Sequence, residues 1–235
     1  MQINAVTTTR IFCRPDCPAS PRADHVLRYD SAEAALADGF RPCLRCRPLR
    51  GSGLVAAATL DTPLGPMLGA ATDDGVCLLE FTDRRMLPTQ LCIVERRLGR
   101  IVPGRHAYLE RLHAELAAYF AGELTAFSVP LVAPGTPFEE RVWSELRAIP
   151  RGETRSYEGL AAALGRPAAA RAVGRANGMN RLAIVIPCHR VIGADGSLTG
   201  YGGGLWRKQW LLDLEASSTP RPHLPAPQLT ATLAL

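Results

Sequence analysis

Four cysteines near the start of the chain limit its folding more than any other feature: Cys13-Arg14-Pro15-Asp16-Cys17 and, after an insert with the helix-like run Ser31-Ala32-Glu33-Ala34-Ala35-Leu36, Cys43-Leu44-Arg45-Cys46. Two close pairs a few tens of residues apart have the spacing with which thiolates converge on one tetrahedral zinc, and the metal ties together a segment too short to build its own core. Cys13, Cys17, Cys43 and Cys46 are therefore expected to hold Zn2+. Four thiolates around a divalent ion leave a net negative site, which Arg14, Arg41, Arg45 and Arg47 can balance. A disulfide framework is disfavoured: the cysteines number seven, and Met1-Gln2-Ile3-Asn4-Ala5 lacks the layout of an export signal. No apolar run approaches the roughly 20 residues that span a bilayer, so a cytoplasmic protein with no membrane partner is expected.

Pro48-Leu49-Arg50-Gly51-Ser52-Gly53 carries boundary signals, and a linker is drawn at 51–56, after a metal module at 1–50. Thr59 to Ala70 and Gly75 to Phe81 read as short strands of a small antiparallel sheet, broken by Gly, Pro and Asp-Asp-Gly turns. Tyr108 to Ala121 reads as a helix, with Leu109, Leu112, Leu116, Tyr119 and Phe120 on one face. This sheet-containing part is bounded at 57–133. Cys77, Cys92, His106 and His113 are expected to be packing residues.

A second thiol asks for a chemical reading. Ile184-Val185-Ile186-Pro187-Cys188-His189-Arg190-Val191 reads as a buried strand that ends on proline and displays a cysteine beside a base and a cation, both of which favour the reactive thiolate. A cysteine that only packs is the plainer alternative, since free cysteine is among the most buried residue types. The adjoining His-Arg pair argues against it.

The region around this thiol is helical and rich in arginine. Phe138 to Ile149 reads as an amphipathic helix, and Thr154 to Pro167 followed by Ala168 to Asn177 has the layout of a helix-turn-helix. Arg171 and Arg175 are four apart and share a face. From Arg141 to Arg190 the fixed positive charges are all arginine and outnumber Glu145, Glu153 and Glu158, and the whole chain carries +5 with a pI near 9.0. A phosphate backbone suits such a face. The last helix, Leu205 to Glu215, closes a part bounded at 134–216, and the Pro/Ser/Thr-rich 217–235 reads as a disordered tail. The expected fold class is α+β: a small four-cysteine zinc module, a small antiparallel sheet domain with helices, then a mainly helical domain with the helix-turn-helix.

Tyr157, Arg171-Ala172-Val173-Gly174, Asn180, Pro187-Cys188-His189-Arg190-Val191-Ile192-Gly193 and Gly200-Tyr201-Gly202-Gly203-Gly204-Leu205 together resemble the DNA-protein-cysteine alkyltransferases that repair O6-methylguanine. With the sheet strands, the resemblance covers about 57–215. The front segment, with Gly39-Phe40-Arg41-Pro42 before its second cysteine pair, is similar to the zinc domain of the Ada family, which takes methyl groups from phosphotriesters.

The resemblance implies roles. Cys188 is the suicidal alkyl acceptor, His189 its base through a water, and Glu215 the residue that holds the imidazole, although taken by itself Glu215 reads as a surface acid. Tyr157 crowds the phosphate 3′ to the lesion and protonates the leaving guanine. Arg171 fills the place of the flipped base, and Arg175 shares its DNA-facing helix. Asn180 braces the active-site turn, and Tyr201, Gly202 and Val191 line the base pocket. The partner implied is alkylated double-stranded DNA, approached by a monomer through the minor groove, with O6-methylguanine and O4-methylthymine as lesions and no organic cofactor. Cys13 is the second methyl acceptor, and its conversion to a neutral thioether lowers repulsion from DNA.

The pattern departs from the family in three places. The zinc segment begins a dozen residues before Cys13, without the helical part that precedes the motif in Ada proteins. The short linker leaves no room for an AraC-like region, which disfavours a transcriptional activator. Asn180-Arg181-Leu182-Ala183 replaces a proline-bearing segment and is expected to reshape a wall of the base pocket. Two rival readings stand beside the leading one: a non-catalytic lesion-binding protein, and a turnover amidase or protease using Cys-His chemistry.

Overall fold

The computed structural model describes residues 2–19, 21–217 and 229–230. Its first element is a four-stranded sheet of order β3-β1-β2-β4, made by β1 (Ile3–Val6), β2 (Ile11–Cys13), β3 (Val26–Tyr29) and β4 (Arg41–Pro42), with α1 (Ala32–Ala37) packed on it. Sequence reading found only the helix, because strands of two to four residues carry too little alternation to be seen. β2 and β4 run parallel, Ile11 opposite Arg41 and Phe12 opposite Pro42, so the two cysteine pairs leave the sheet side by side.

The larger sheet runs β5 (Leu54–Leu60), β6 (Met67–Thr72), β7 (Gly75–Phe81), antiparallel throughout, with β8 (Arg100–Pro103) parallel to the first half of β5. Leu54 to Ala56 thus belong to a strand and not to the linker drawn at 51–56. Their alternating burial explains it, since Val55 and Ala57 face one layer and Ala56 and Ala58 the other. α2 (Leu87–Leu98), which sequence reading missed together with β8, covers the first face. α3 (Ala107–Phe120) covers the second through Leu109, Leu112 and Leu116.

The N-terminal sheet shares its core with the larger one. Ile3, Phe12, Leu36, Phe40 and Leu49 form one cluster with Ala56 and Val102. Gly104 permits the contact, because a Cβ there would stand 2.7 Å from Leu36 Cδ2. The turn between β6 and β7 then clasps the connecting segment. Buried Asp73 accepts hydrogen bonds from the Leu49 and Arg50 amides at 2.5 and 2.9 Å, and Asp74 pairs with Arg47 and Arg50. His106, buried as expected of a packing residue, accepts from the Tyr108 amide at Nδ1; its Nε2–H is left to face Asp73 at 3.4 Å. Asp73→Ala orphans those donors and will lower the unfolding free energy by about 3 kcal/mol. Hydrogen exchange in residues 3–48 is the check, and it should rise more than exchange in residues 137–216.

The rest of the described chain is mainly helical: α4 (Pro137–Arg147), β9 (Arg155–Ser156), α5 (Tyr157–Ala163), α6 (Ala170–Gly178), β10 (Val191–Ile192) and α7 (Leu205–Ala216). α4 opens on a capping box between Thr136 and Glu139 with Pro137 in its first turn, and Ser156 caps α5. The α4 Trp143 indole donates to the Ala176 carbonyl at 2.9 Å, locking α4 against α6. β9 and β10 pair in parallel, which brings Tyr157 to the region after Cys188. Leu182 forms a bridge to Leu79 on the edge of β7, so the sheet reaches into the segment that carries the thiol. Of the tail read as disordered, β11 (Leu229–Thr230) pairs with Leu60 and Thr59 on the stretch of β5 edge that β8 leaves free; the rest of 218–235 lies outside the described residues. No helix among the described residues is long and apolar enough to cross a membrane.

Candidate active site and metal centre

The segment before Cys188 is a pair of tight turns and not the strand its apolar run suggests. Val185 N donates to the Ala183 carbonyl and Ile186 N to that of Leu182, and Ile184 takes φ of 70°. That is a left-handed conformation that β-branched residues rarely adopt. Asn180 holds the turn: its Nδ2 donates to the Ile186 carbonyl at 2.9 Å and its Oδ1 accepts from Leu182 N at 2.9 Å.

Cys188 opens a single 3-10 turn, Cys188–Arg190, and is only 7% exposed. The thiol is therefore not on display. Burial pushes its pKa up, against a lowering hydrogen bond with Asn180, so the resting group is the thiol. Arg190 does not supply the favouring cation expected of it. Its guanidinium donates to Ile149 O and, through Nε and Nη2 at 2.8 Å each, to Glu215. Glu215 is buried, contrary to its reading as a lone surface acid and in keeping with the resemblance. It also accepts from Tyr119 Oη at 2.6 Å and meets His189 Nε2 at 2.8 Å. Burial alone would raise this carboxyl, but the hydrogen bonds from His189 and Arg190 outweigh it and hold it well below the usual carboxylate range. An ionised carboxylate only accepts, so His189 carries its proton on Nε2. Burial also lowers the His189 pKa, leaving a neutral imidazole whose Nδ1 lone pair has no protein partner.

An open cleft of about 650 Å³ is lined by Tyr157, Arg171, Gly174, Tyr201, Gly202 and Arg84 among others; Cys188 does not line it, but two of its walls, Tyr157 and Tyr201, feel the charge of the thiolate. Tyr157 begins α5 with its hydroxyl 3.4 Å from the Thr199 carbonyl. Arg171 and Arg175 are exposed on α6 and make no hydrogen bond or ion pair within the described residues; Arg171 alone of the two lines the cleft. Tyr201 is partly buried, with its enclosed hydroxyl left without a partner among the described residues. Val191 does not line the cleft: its side chain is in the core, and its carbonyl takes the Lys208 ammonium at 2.5 Å. Arg181, expected to reshape the pocket wall, turns instead to the Pro134 carbonyl and the Trp143 ring.

Three charged residues near the thiol were missed. Glu80 and Arg84 come from the sheet half, and Lys208, with a pKa lowered to about 8 by burial, comes from α7. A signal existed for Lys208, which shares the buried helical stripe of Leu211 and Glu215. Cys77 packs as expected, its thiol toward the Ala70 carbonyl, but Cys92 is exposed on α2.

At the other end, the sulfurs of Cys13, Cys17, Cys43 and Cys46 all lie within 4.8 Å of one another. Tetrahedral zinc–thiolate bonds put sulfurs about 3.8 Å apart, so this all-thiol set fits the metal. Each pair curls back on itself, Cys17 N to Arg14 O and Arg47 N to Cys43 O, and Arg14 N donates to Cys46 Sγ at 3.4 Å. Cys13 is 7% exposed and the other three more so. Chelation of the metal will release the shared core and lower the melting temperature of the whole chain, and elemental analysis will give about one zinc per chain.

Comparison with known proteins puts a class on this arrangement. Residues 55–133 and 137–217 match the ribonuclease-like and DNA binding domains of 6-O-methylguanine DNA methyltransferase, and 3–48 match the metal binding domain of Ada. The fold is thus that of a DNA alkyltransferase. The methylated-DNA–protein-cysteine methyltransferase of Mycobacterium leprae is 46% identical over 162 residues, which are 69% of this chain and 93% of that protein. That of Salmonella typhimurium is 46% identical over 64% of this chain and 90% of its own length. A crystal structure of Mycobacterium tuberculosis OGT in complex with DNA is 44% identical, with a TM-score of 0.60 over 71% of this chain and 95% of that one. The chain belongs to the methylated-DNA–protein-cysteine methyltransferase family and carries an Ada-type zinc module at its front. It repairs DNA by alkyl transfer.

Proposed function

We propose that Cys188 takes the alkyl group from O6-methylguanine, and from O4-methylthymine, in double-stranded DNA, once per protein molecule. The observation that carries this reading is the hydrogen-bonded line from Glu215 to His189 ending on an unpartnered, buried Nδ1 one residue from the thiol. His189 takes the thiol proton through one bridging water, the sulfur forms a bond to the methyl carbon, and the C–O6 bond breaks with its electron pair going to guanine. Tyr157 returns a proton to the base. The thioether so formed has no leaving path, so the protein stops there.

A buried thiol reaches a base only if the base leaves the stack, at a cost of a few kcal/mol. Arg171, exposed at the cleft and free of protein partners among the described residues, fills the vacated place, and α6 with Arg175 lies in the minor groove of the duplex bound by a monomer. Tyr201 and Gly202 cover the flipped base. Arg171→Ala will slow repair of duplex DNA by about 10²-fold while changing reaction with free O6-benzylguanine less than about threefold. Equal losses would remove the flipping role.

The protein works in the cytoplasm as a module at 1–50, a sheet part that begins with β5 at Leu54 and runs to 133, and a helical part at 134–216. Zinc held by the four cysteines keeps their sulfurs in the nucleophilic thiolate form. Cys13 is the second acceptor, for methylphosphotriesters, and is as little exposed as Cys188. Incubation with excess duplex bearing labelled O6-methylguanine tests the main reading. Transfer should plateau near one methyl per chain; continued turnover would indicate a different enzyme, and no transfer a lesion-binding protein.

A further inference from the structure

We propose that Arg84, with Glu80 as its counter-ion, is a positioning residue for the alkyl acceptor, so that the sheet half of the protein sets the placement and charge environment of the thiol. The inference rests on Cys188 being that acceptor. Arg84 sits in the turn between β7 and α2 and is almost wholly buried. Its Nη2 donates to the Gly178 carbonyl at 2.6 Å and its Nη1 to the Asn180 carbonyl at 3.2 Å; the same Nη1 pairs with Glu80 Oε2. Gln90 of α2 adds a second donor to the Asn180 carbonyl at 3.2 Å.

These are the carbonyls at and just past the end of α6, where helical carbonyls lack internal partners and a cation is most favourable. Asn180 in turn holds the Cys188 turn, and its side chain lowers the pKa of the thiol against the effect of burial. The opposite side of the guanidinium packs on Gly202, where a Cβ would fall 2.4 Å from Arg84 Cζ. One side chain from the sheet half thereby touches the end of the DNA-facing helix, the residue that braces the thiol, and the loop at the cleft.

A buried ion pair is a poor way to gain stability, because an apolar pair of similar volume serves as well or better. Its value here is placement and field. The titratable and charged groups that face Cys188 are Glu80 and Arg84 from the sheet half, Tyr157 of α5, Tyr201 of the cleft loop, Lys208 of α7 and the adjoining His189. Within this set Glu80 and Arg84 oppose each other, the carboxylate disfavouring the thiolate and the guanidinium favouring it.

Two full-length variants test the inference through the second-order rate with free O6-benzylguanine, its pH profile, and thermal melting. Glu80→Gln leaves Arg84 unopposed and should move the pH midpoint of the rate to lower pH. A merely structural role would not shift it. Glu80→Gln/Arg84→Met removes both charges and leaves no uncompensated ion, so it should fold with a melting temperature close to the wild type yet react more than about tenfold more slowly. A double variant that reacts at the wild-type rate, or a Glu80→Gln profile that stays in place, would overturn the proposal. Benzyl label on Cys188 of the wild type shows that the acceptor itself is correctly assigned; label elsewhere would overturn both readings.

Discussion

Cys188→Ala will reduce alkyl transfer from O6-methylguanine in duplex DNA to background while the protein stays folded. The loss is total because no other thiol stands in for this one. Cys77 is spent on the Ala70 carbonyl inside the sheet, Cys92 is exposed on α2, and the remaining four cysteines form the metal set. The cost in stability is small by comparison, of order 1 kcal/mol, since the change removes one sulfur and frees one Asn180 contact. Radiolabel counting on the precipitated protein, beside a thermal melt, separates lost chemistry from lost fold.

Glu215→Gln is expected to have the next largest effect, on both rate and stability. The carboxylate receives His189 Nε2, Arg190 Nε and Nη2, and Tyr119 Oη, all inside the core. Glutamine offers one acceptor oxygen and presents an N–H pair to groups that are themselves donors. Arg190 is then a buried cation without its counter-ion, a loss worth about 3–5 kcal/mol. His189 loses the partner that fixes its proton on Nε2, and with it the free lone pair on Nδ1, so the transfer rate should fall by about 10³-fold.

The pH dependence of stability supplies a second check. The Glu215 carboxyl is held below its unfolded value, so its contribution is present in full above the ordinary carboxylate range and is lost progressively as pH falls from that range to the lower folded value. His189 is likewise depressed, and its burial in the neutral form destabilises the fold as pH drops below the ordinary imidazole value. Both act in the same direction, toward weaker folding in acid. In Glu215→Gln the carboxylate part disappears, and urea midpoints at pH 7 and pH 4 should lie closer together than in the wild type.

Much of this was legible in the residues. Apolar spacing marked α3, α4 and α7 to within a residue or two, and Cys13, Cys17, Cys43 and Cys46 marked the metal site, because helical period and ligand spacing are local properties. Direction was not legible. Cys188-His189-Arg190 was read as a thiol flanked by its own base and cation, but a 3-10 turn sends Arg190 away from the sulfur to Glu215. The apolar run before it resembled a strand, and the local Asn180 bonds together with the long-range bridge from Leu182 to Leu79 impose the turn with Ile184 at positive φ. Glu80, Arg84 and Lys208 escaped notice because each meets the site through contacts nearly a hundred residues distant or through a helix face otherwise apolar. The shared core of the zinc module escaped too, since Ala56 and Val102 give no sign in sequence of which neighbour covers them.

The most direct test is to locate the transferred group. The full-length zinc-loaded protein should be reacted with duplex DNA containing a single O6-methyl-labelled guanine, digested, and mapped by peptide mass spectrometry. The label should lie on Cys188, at about one per chain, with Cys13 unlabelled by this substrate. Label on any residue but Cys188, or a protein that remains unlabelled while the lesion disappears, would contradict the account.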